Sequence, residues 1–152
     1  MPIPILDNPT IFKKYDTHKV GESIVALPKQ CAQAWAEAWR IKLPSAYHKA
    51  QNIVVAAMGG SGLGAHLIKS VFSKKLGMPL EIINHYELPQ YVGKNTLVFA
   101  ISYSGATEET LTAVKQARTR RAKIVGITVG GSLGAWCKKN RDSTPEAQAR
   151  WS

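Results

Sequence analysis

The stretch NIVVAAMGGSGLGAHL, residues 52–67, decides how the chain is read. It opens with an unbroken apolar run, Ile53 to Met58, turns through Gly59-Gly60-Ser61-Gly62, and continues with helical spacing from Ala65 to Leu76. A short apolar run bounded by glycines is a strand buried on both faces, and a helix directly behind it is the first half of a βαβ unit. The same alternation continues downstream, with strands at Leu80–Asn84, Thr96–Ser102 and Lys123–Val129 and a helix at Glu108–Thr119. The spacing predicts an α/β fold: a three-layer, doubly wound parallel sheet with helices on both faces. In such sheets ligands sit beyond the carboxyl ends of the strands, so the loops that leave those ends are the ones to read for chemistry.

Upstream, Val20, Ile24, Leu27, Cys31, Ala34, Trp35, Ala38 and Trp39 recur three and four apart between Asp16 and Arg40. This is the pattern of an amphipathic helical arm, with Pro28 inside it. Ile41 to Gln51, containing Pro44, reads as a linker. Residues 1–51 are therefore expected to form an N-terminal helical arm and linker, 52–140 the α/β domain, and 141–152 a tail, RDSTPEAQARWS, with neither strand nor helix period.

Composition narrows the class. A chain of 152 residues suits one domain of about 100–200 residues. Its 45% hydrophobic content excludes a disordered chain, and 12 Gly and 2 Cys exclude a collagen or a disulfide scaffold. No apolar run approaches the roughly 20 residues that span a bilayer, and Met1 to Thr10 carry no Lys or Arg, so neither a membrane span nor a secretory signal is expected. A cytoplasmic home follows as the expectation, with Cys31 and Cys137 isolated from each other and from any metal-type spacing. The net charge of +10 comes from scattered residues. The densest cluster, Arg118, Arg120, Arg121 and Lys123, falls at a helix C-terminus, where cations offset the negative end of the dipole. No nucleic-acid-binding motif accompanies it, so the expected partner is a small anion and not a nucleic acid.

Two loops carry the chemistry. The first, Gly59 to Gly64, lets the backbone approach a ligand closely at a helix N-terminus that offers unpaired N–H groups. Gly60, Gly62 and Ala65 also satisfy the dinucleotide pattern GxGxxG/A. The tip of the second strand, however, carries Asn84 and His85 where such a site wants an acid, Glu81 lies near the strand's start, and the Lys of a nucleotide P-loop is missing. No cofactor is expected. The second loop, Ser102-Tyr103-Ser104-Gly105-Ala106-Thr107, leads into Glu108-Glu109-Thr110. Three hydroxyls around a glycine, with a helix N-terminus behind them, can direct several hydrogen bonds at one phosphate. Thr107 also suits an N-cap and the two glutamates a first turn. Capping accounts for Thr107 but leaves Ser102 and Ser104 unexplained.

Gly-Gly-Ser-Gly at 59–62 followed by Ser-Tyr-Ser-Gly-Ala-Thr-Glu-Glu-Thr at 102–110 resembles the sugar isomerase (SIS) domain, whose members bind phosphosugars with these loops. Gly21-Glu22-Ser23-Ile24, Ala26-Leu27-Pro28, Tyr86-Glu87-Leu88-Pro89 and Ile127-Thr128-Val129-Gly130-Gly131-Ser132-Leu133 narrow the resemblance to the bifunctional phosphoglucose/phosphomannose isomerases, over roughly Asp16 to Asn140. Ala106 stands where the family often has Asn. The resemblance implies a flavodoxin-like strand order and a sugar-phosphate ligand held by Gly60, Ser61, Ser102, Ser104 and Thr107. It further implies an aldose-ketose isomerase that interconverts glucose 6-phosphate or mannose 6-phosphate with fructose 6-phosphate, homodimeric at full length. The family's catalytic Glu, His and Lys lie in a second SIS domain or later in the chain. The expectation is thus a fragment without catalytic residues of its own and inactive alone, lacking its last strand through a frameshift or premature stop. A non-catalytic phosphosugar-binding regulatory module is the alternative. Glu108 and Glu109 suit a helix dipole better than proton abstraction, His66 and His85 read as structural, Tyr86 and Tyr103 as packing, and no set of residues has metal-ligand spacing.

Overall fold

Two central strands of equal length set the geometry of the molecule: β1 (Asn52–Ala57) and β3 (Thr96–Ile101) pair in parallel from Asn52 opposite Thr96 to Ala57 opposite Ile101. Both are β-branched and apolar enough to be buried on both faces. A computed structural model of the chain describes residues 8–140. The tail read at 141–152 lies outside the described residues. Strand β2 (Leu80–Ile83) flanks β1 and strand β4 (Lys123–Ile127) flanks β3, giving the all-parallel order β2-β1-β3-β4. The expected α/β fold and strand order are therefore present. Because β1 and β3 end level with each other, the loops that follow them start side by side.

The helices of this unit are α3 (Leu63–Val71), α4 (Glu108–Thr119) and α5 (Gly131–Lys139). One sheet face, with Val54, Ala56, Val98, Ala100 and Ile124, packs against Ala113, Val114 and Ala117 of α4 and Leu133 and Cys137 of α5. Helix α5 lies so close to β4 that a Cβ at Gly126 would overlap the Cys137 sulfur. The other face carries Val55 and Ala57 against Ala65 of α3, and Leu97 and Val125 against Tyr47 and Ala50. Residues 41–50 thus contribute to this core: Ile41 and Leu43 pack on the same cluster, and the Tyr47 hydroxyl donates to the Ile124 carbonyl at 3.3 Å.

Boundaries differ from expectation where loop chemistry intervenes. Helix α3 starts two residues early, because Gly62 already has helical dihedrals, and stops at Val71, where Lys75 and Leu76 N–H groups fold back onto the Phe72 carbonyl. Strand β4 stops at Ile127 instead of Val129 because the Thr128 hydroxyl bends the chain, bonding both the N–H and the carbonyl of Gly130.

The chain divides between Trp39 and Arg40 into two compact units. In the first, α1 (Pro9–Tyr15) is capped by Asn8, and α2 (Val20–Ala38) is amphipathic as read, with Pro28 inside. Asp16 lies outside α2 and caps it, its carboxylate accepting from the N–H groups of Val20 and Gly21 at 2.6 and 2.8 Å.

Leu133 is fully buried where α5 meets the sheet. Leu133→Ala should cost about 2–5 kcal/mol, the range for a buried leucine truncated with a residual cavity. Urea unfolding followed by circular dichroism checks this, and an unchanged midpoint would show that α5 lies outside the cooperative core.

Candidate functional site

The glycine-rich loop after β1 makes a single 3-10 turn, Gly59–Gly62, in which the Ser61 N–H donates to the Met58 carbonyl at 3.2 Å. A Cβ at Gly60 would meet open space, and Ser61 is half-buried, so backbone and hydroxyl here are accessible from outside. Gly62 is buried beneath them at the N-terminus of α3.

The loop after β3 is built around its hydroxyls. Ser102 is 2% exposed, and its Oγ accepts from the Gly105 N–H at 3.0 Å and pairs with the Thr107 Oγ1 at 2.8 Å. Ser104 is exposed, its Oγ accepting from the Ala106 N–H at 3.2 Å. Thr107 occupies the N-cap position of α4 but makes no capping bond with its side chain. Its hydroxyl is turned to Ser102 instead, which leaves the first N–H groups of α4 without a side-chain acceptor. A helix start with its donors open and hydroxyls around it is suited to an anion. Capping therefore fails to account even for Thr107.

A third loop, after β4, holds the second in place. Gly105 has φ +67°, and a Cβ there would overlap the Gly130 carbonyl; Gly131 has φ +66° and is pressed against Ser104 and Gly105 in the same way. Val129 N–H donates to the Tyr103 carbonyl at 3.2 Å and Leu133 N–H to the Gly105 carbonyl at 2.9 Å, while the buried Thr128 hydroxyl donates to the Gly130 carbonyl at 2.9 Å. In the sequence the pair Gly130-Gly131 was the one signal of this support.

The loop after β2 also reaches the start of α4. The Tyr86 hydroxyl donates to the Glu108 carboxylate at 3.3 Å. Behind it, Gln116 Nε2 donates to the Tyr86 carbonyl at 2.7 Å and Gln116 Oε1 accepts from the Leu88 N–H at 3.1 Å, while Arg120 donates to the carbonyls of Leu88 and Pro89 at 3.1 and 2.7 Å. Tyr86 is 47% exposed and Tyr103 is exposed as well, so neither is the packing residue its sequence context suggested. The neighbouring Glu109 carboxylate, some loss of solvation and Glu108 together hold the Tyr86 phenol above its ordinary range. His85 Nδ1 accepts from the Glu87 N–H at 3.3 Å, a local backbone role, and His66 is exposed on α3. Among the described residues no group of His, Cys, Asp and Glu is placed to hold a metal, and no helix is long and apolar enough to cross a membrane.

A parallel sheet whose level central strands present a glycine loop and a hydroxyl loop, each at a helix N-terminus, defines an α/β domain with the architecture suited to a small anion at its strand ends. More particularly, the chain belongs to the SIS domain family, whose model matches residues 46–139. It is similar to the bifunctional phosphoglucose/phosphomannose isomerase of Caldicellulosiruptor bescii, 37% identical over 119 residues that cover 78% of this chain and 35% of that protein. The enzyme of the same name from Thermoplasma acidophilum is 44% identical over 82 residues, covering 54% of this chain and 26% of the relative. The chain thus spans about a third or less of the length of these relatives. In architecture it is similar to a Bacillus subtilis protein solved as a candidate phosphosugar isomerase, with a TM-score of 0.57, 23% identity, and coverage of 80% of this chain and 38% of that one.

Gly105→Ala tests the loop contact. A side chain at this positive φ, meeting the Gly130 carbonyl, should destabilise the domain by about 1–3 kcal/mol and speed amide exchange in 128–133. Hydrogen exchange with mass-spectrometric readout measures both, and native-like protection in the variant would show that the loops are independent.

Proposed function

We propose that this chain binds the phosphate of a hexose 6-phosphate, as the phosphosugar-binding part of an isomerase acting between glucose 6-phosphate or mannose 6-phosphate and fructose 6-phosphate. The single observation that carries the reading is the Thr107 hydroxyl turned away from the helix it could cap and onto Ser102. With Ser102 donating to Thr107, the Thr107 hydrogen is available to the ligand, so the buried serine polarises the half-buried threonine. Ser104, Thr107 and the open N–H groups of α4 then receive the phosphate from one side. The backbone at Gly60 and the Ser61 hydroxyl receive it from the other, across the neighbouring strand ends. All of these donors are neutral, and the Ser104 and Thr107 hydroxyls are held by bonds that exist without ligand. The relatives named above support the hexose phosphate class. No described residue is assigned here to proton transfer between C1 and C2, which needs a base with access to both carbons.

Ser104→Ala combined with Thr107→Val should weaken binding of fructose 6-phosphate or glucose 6-phosphate by about 2 kcal/mol or more, since hydrogen bonds to charged groups are worth roughly 1.5–3 kcal/mol each. Titration calorimetry gives the number, and an affinity equal to that of the unmodified chain would overturn the assignment. With the dianion as the preferred form, wild-type affinity should climb as pH rises through about 6, the second pKa of a phosphate ester, and level off above it. A flat profile between pH 5 and 8 would point to recognition of the sugar alone.

A further inference from the structure

A carboxylate at the mouth of an anion site opposes the anion. Glu108 is the residue directly after Thr107 and the first of α4, so its charge lies beside the proposed phosphate position. Helix-dipole stabilisation explains a Glu there in the empty protein. It does not explain why Glu108 is met by Tyr86, nor why the backbone behind Tyr86 is fastened by four hydrogen bonds to Gln116 of α4 and to Arg120, which caps its C-terminus. That fastening holds a half-exposed tyrosine beside the cradle without burying it.

We propose that Tyr86 and Glu108 form the subsite that reads the hydroxyls of the sugar body, next to the cradle that holds its phosphate. The inference rests on the phosphosugar reading given above and adds to it which part of the ligand is discriminated and how. A carboxylate accepts hydrogen bonds from two neighbouring hydroxyls at once, which a phosphate oxygen cannot supply. The tyrosine offers a phenolic O–H, protonated at neutral pH like any ordinary tyrosine, and a ring face for the C–H side of a sugar. Glu108 directly follows Thr107 and its carboxylate is met by the Tyr86 hydroxyl, so both side chains belong to the rim next to the proposed phosphate position. The ligand class is therefore a polyol carrying a single phosphate. A second phosphate on the sugar would meet the Glu108 and Glu109 carboxylates and be disfavoured.

The test compares three ligands on the full chain by titration calorimetry: inorganic phosphate, fructose 6-phosphate and fructose 1,6-bisphosphate. Glu108→Gln should weaken fructose 6-phosphate about ten-fold, the loss of a charge-assisted hydrogen bond, while phosphate and the bisphosphate bind equally well or up to about two-fold better. Tyr86→Phe should weaken fructose 6-phosphate several-fold and leave inorganic phosphate as it was. A merely structural role would lower all three affinities together, and that result, or no change in either variant, would overturn the inference while leaving the cradle in place. Failure of the wild-type chain to bind fructose 6-phosphate at all would instead overturn the phosphosugar reading and this inference with it.

Discussion

The contact between Gly105 and the backbone of Gly130 and Gly131 is the constraint on which the site depends. Two loops leaving adjacent strands, β3 and β4, approach until neither has room for a side chain, and each must turn through a positive φ to do so. Only glycine makes that conformation inexpensive. Once the loops touch, the rest of the hydroxyl loop follows: the Gly105 N–H comes within reach of the Ser102 hydroxyl, the Gly105 carbonyl takes the Leu133 N–H, and α5 begins where the loop ends. The hydroxyl loop is therefore stiffened from a neighbouring loop through backbone contacts and the Thr128 hydroxyl. Anchoring of this kind is what allows exposed donors such as Ser104 to hold a fixed position without ligand, so that ordering costs are met during folding and not on binding.

The sheet supplies the other half of the arrangement. Level pairing of β1 and β3 brings the glycine loop and the hydroxyl loop out at one height, and a parallel sheet puts both following helices behind them with N-termini toward the same end. Helix α4 then serves twice. Its small residues, Ala113, Val114 and Ala117, sit directly on the sheet, while Gln116 and the C-cap residue Arg120 reach sideways to fix the loop after β2. A shift of α4 along the sheet would move the open N–H groups, Glu108 and Tyr86 together. The proposed phosphate cradle and the proposed hydroxyl-reading pair are in this sense one mechanical piece.

Strands were legible in the sequence because burial on both faces leaves an unbroken apolar signature, and the four runs seen there became the four strands. Element ends were less so, since they are decided by single hydrogen bonds such as that of Thr128, which periodicity does not record. The packing of 41–50 onto the sheet was hidden by Pro44 and by polar neighbours, although Ile41, Leu43 and Tyr47 carry it. In the site, the residue types of the hydroxyl loop were readable, but their division of labour was not. That Ser102 is buried and bonds the Thr107 hydroxyl depends on the turn at Gly105, and that Tyr86 meets Glu108 depends on a pairing 22 residues apart, across a strand. Local spacing cannot express either.

Charge gives the last step. The chain carries +10, yet neither the segment 58–64 nor the segment 102–107 contains a Lys or Arg, and the first turn of α4 is acidic. The basic residues that have partners spend them on structure: Arg120 and Lys123 hold carbonyls of the 88–94 stretch, and the only ion pair among the described residues joins Lys19 to Glu22 at the surface. In the proposed reading an anion here would be met by dipoles and hydroxyls, whose attraction is short-ranged and directional, instead of by full charges that would gather any polyanion. Placing Glu108 at the rim adds a repulsive element to the attractive one, and discrimination between ligands that share a phosphate needs both. Neutral donors inside and a carboxylate at the edge are what the proposed site would need to accept one phosphate, refuse a second, and let the sugar decide the fit.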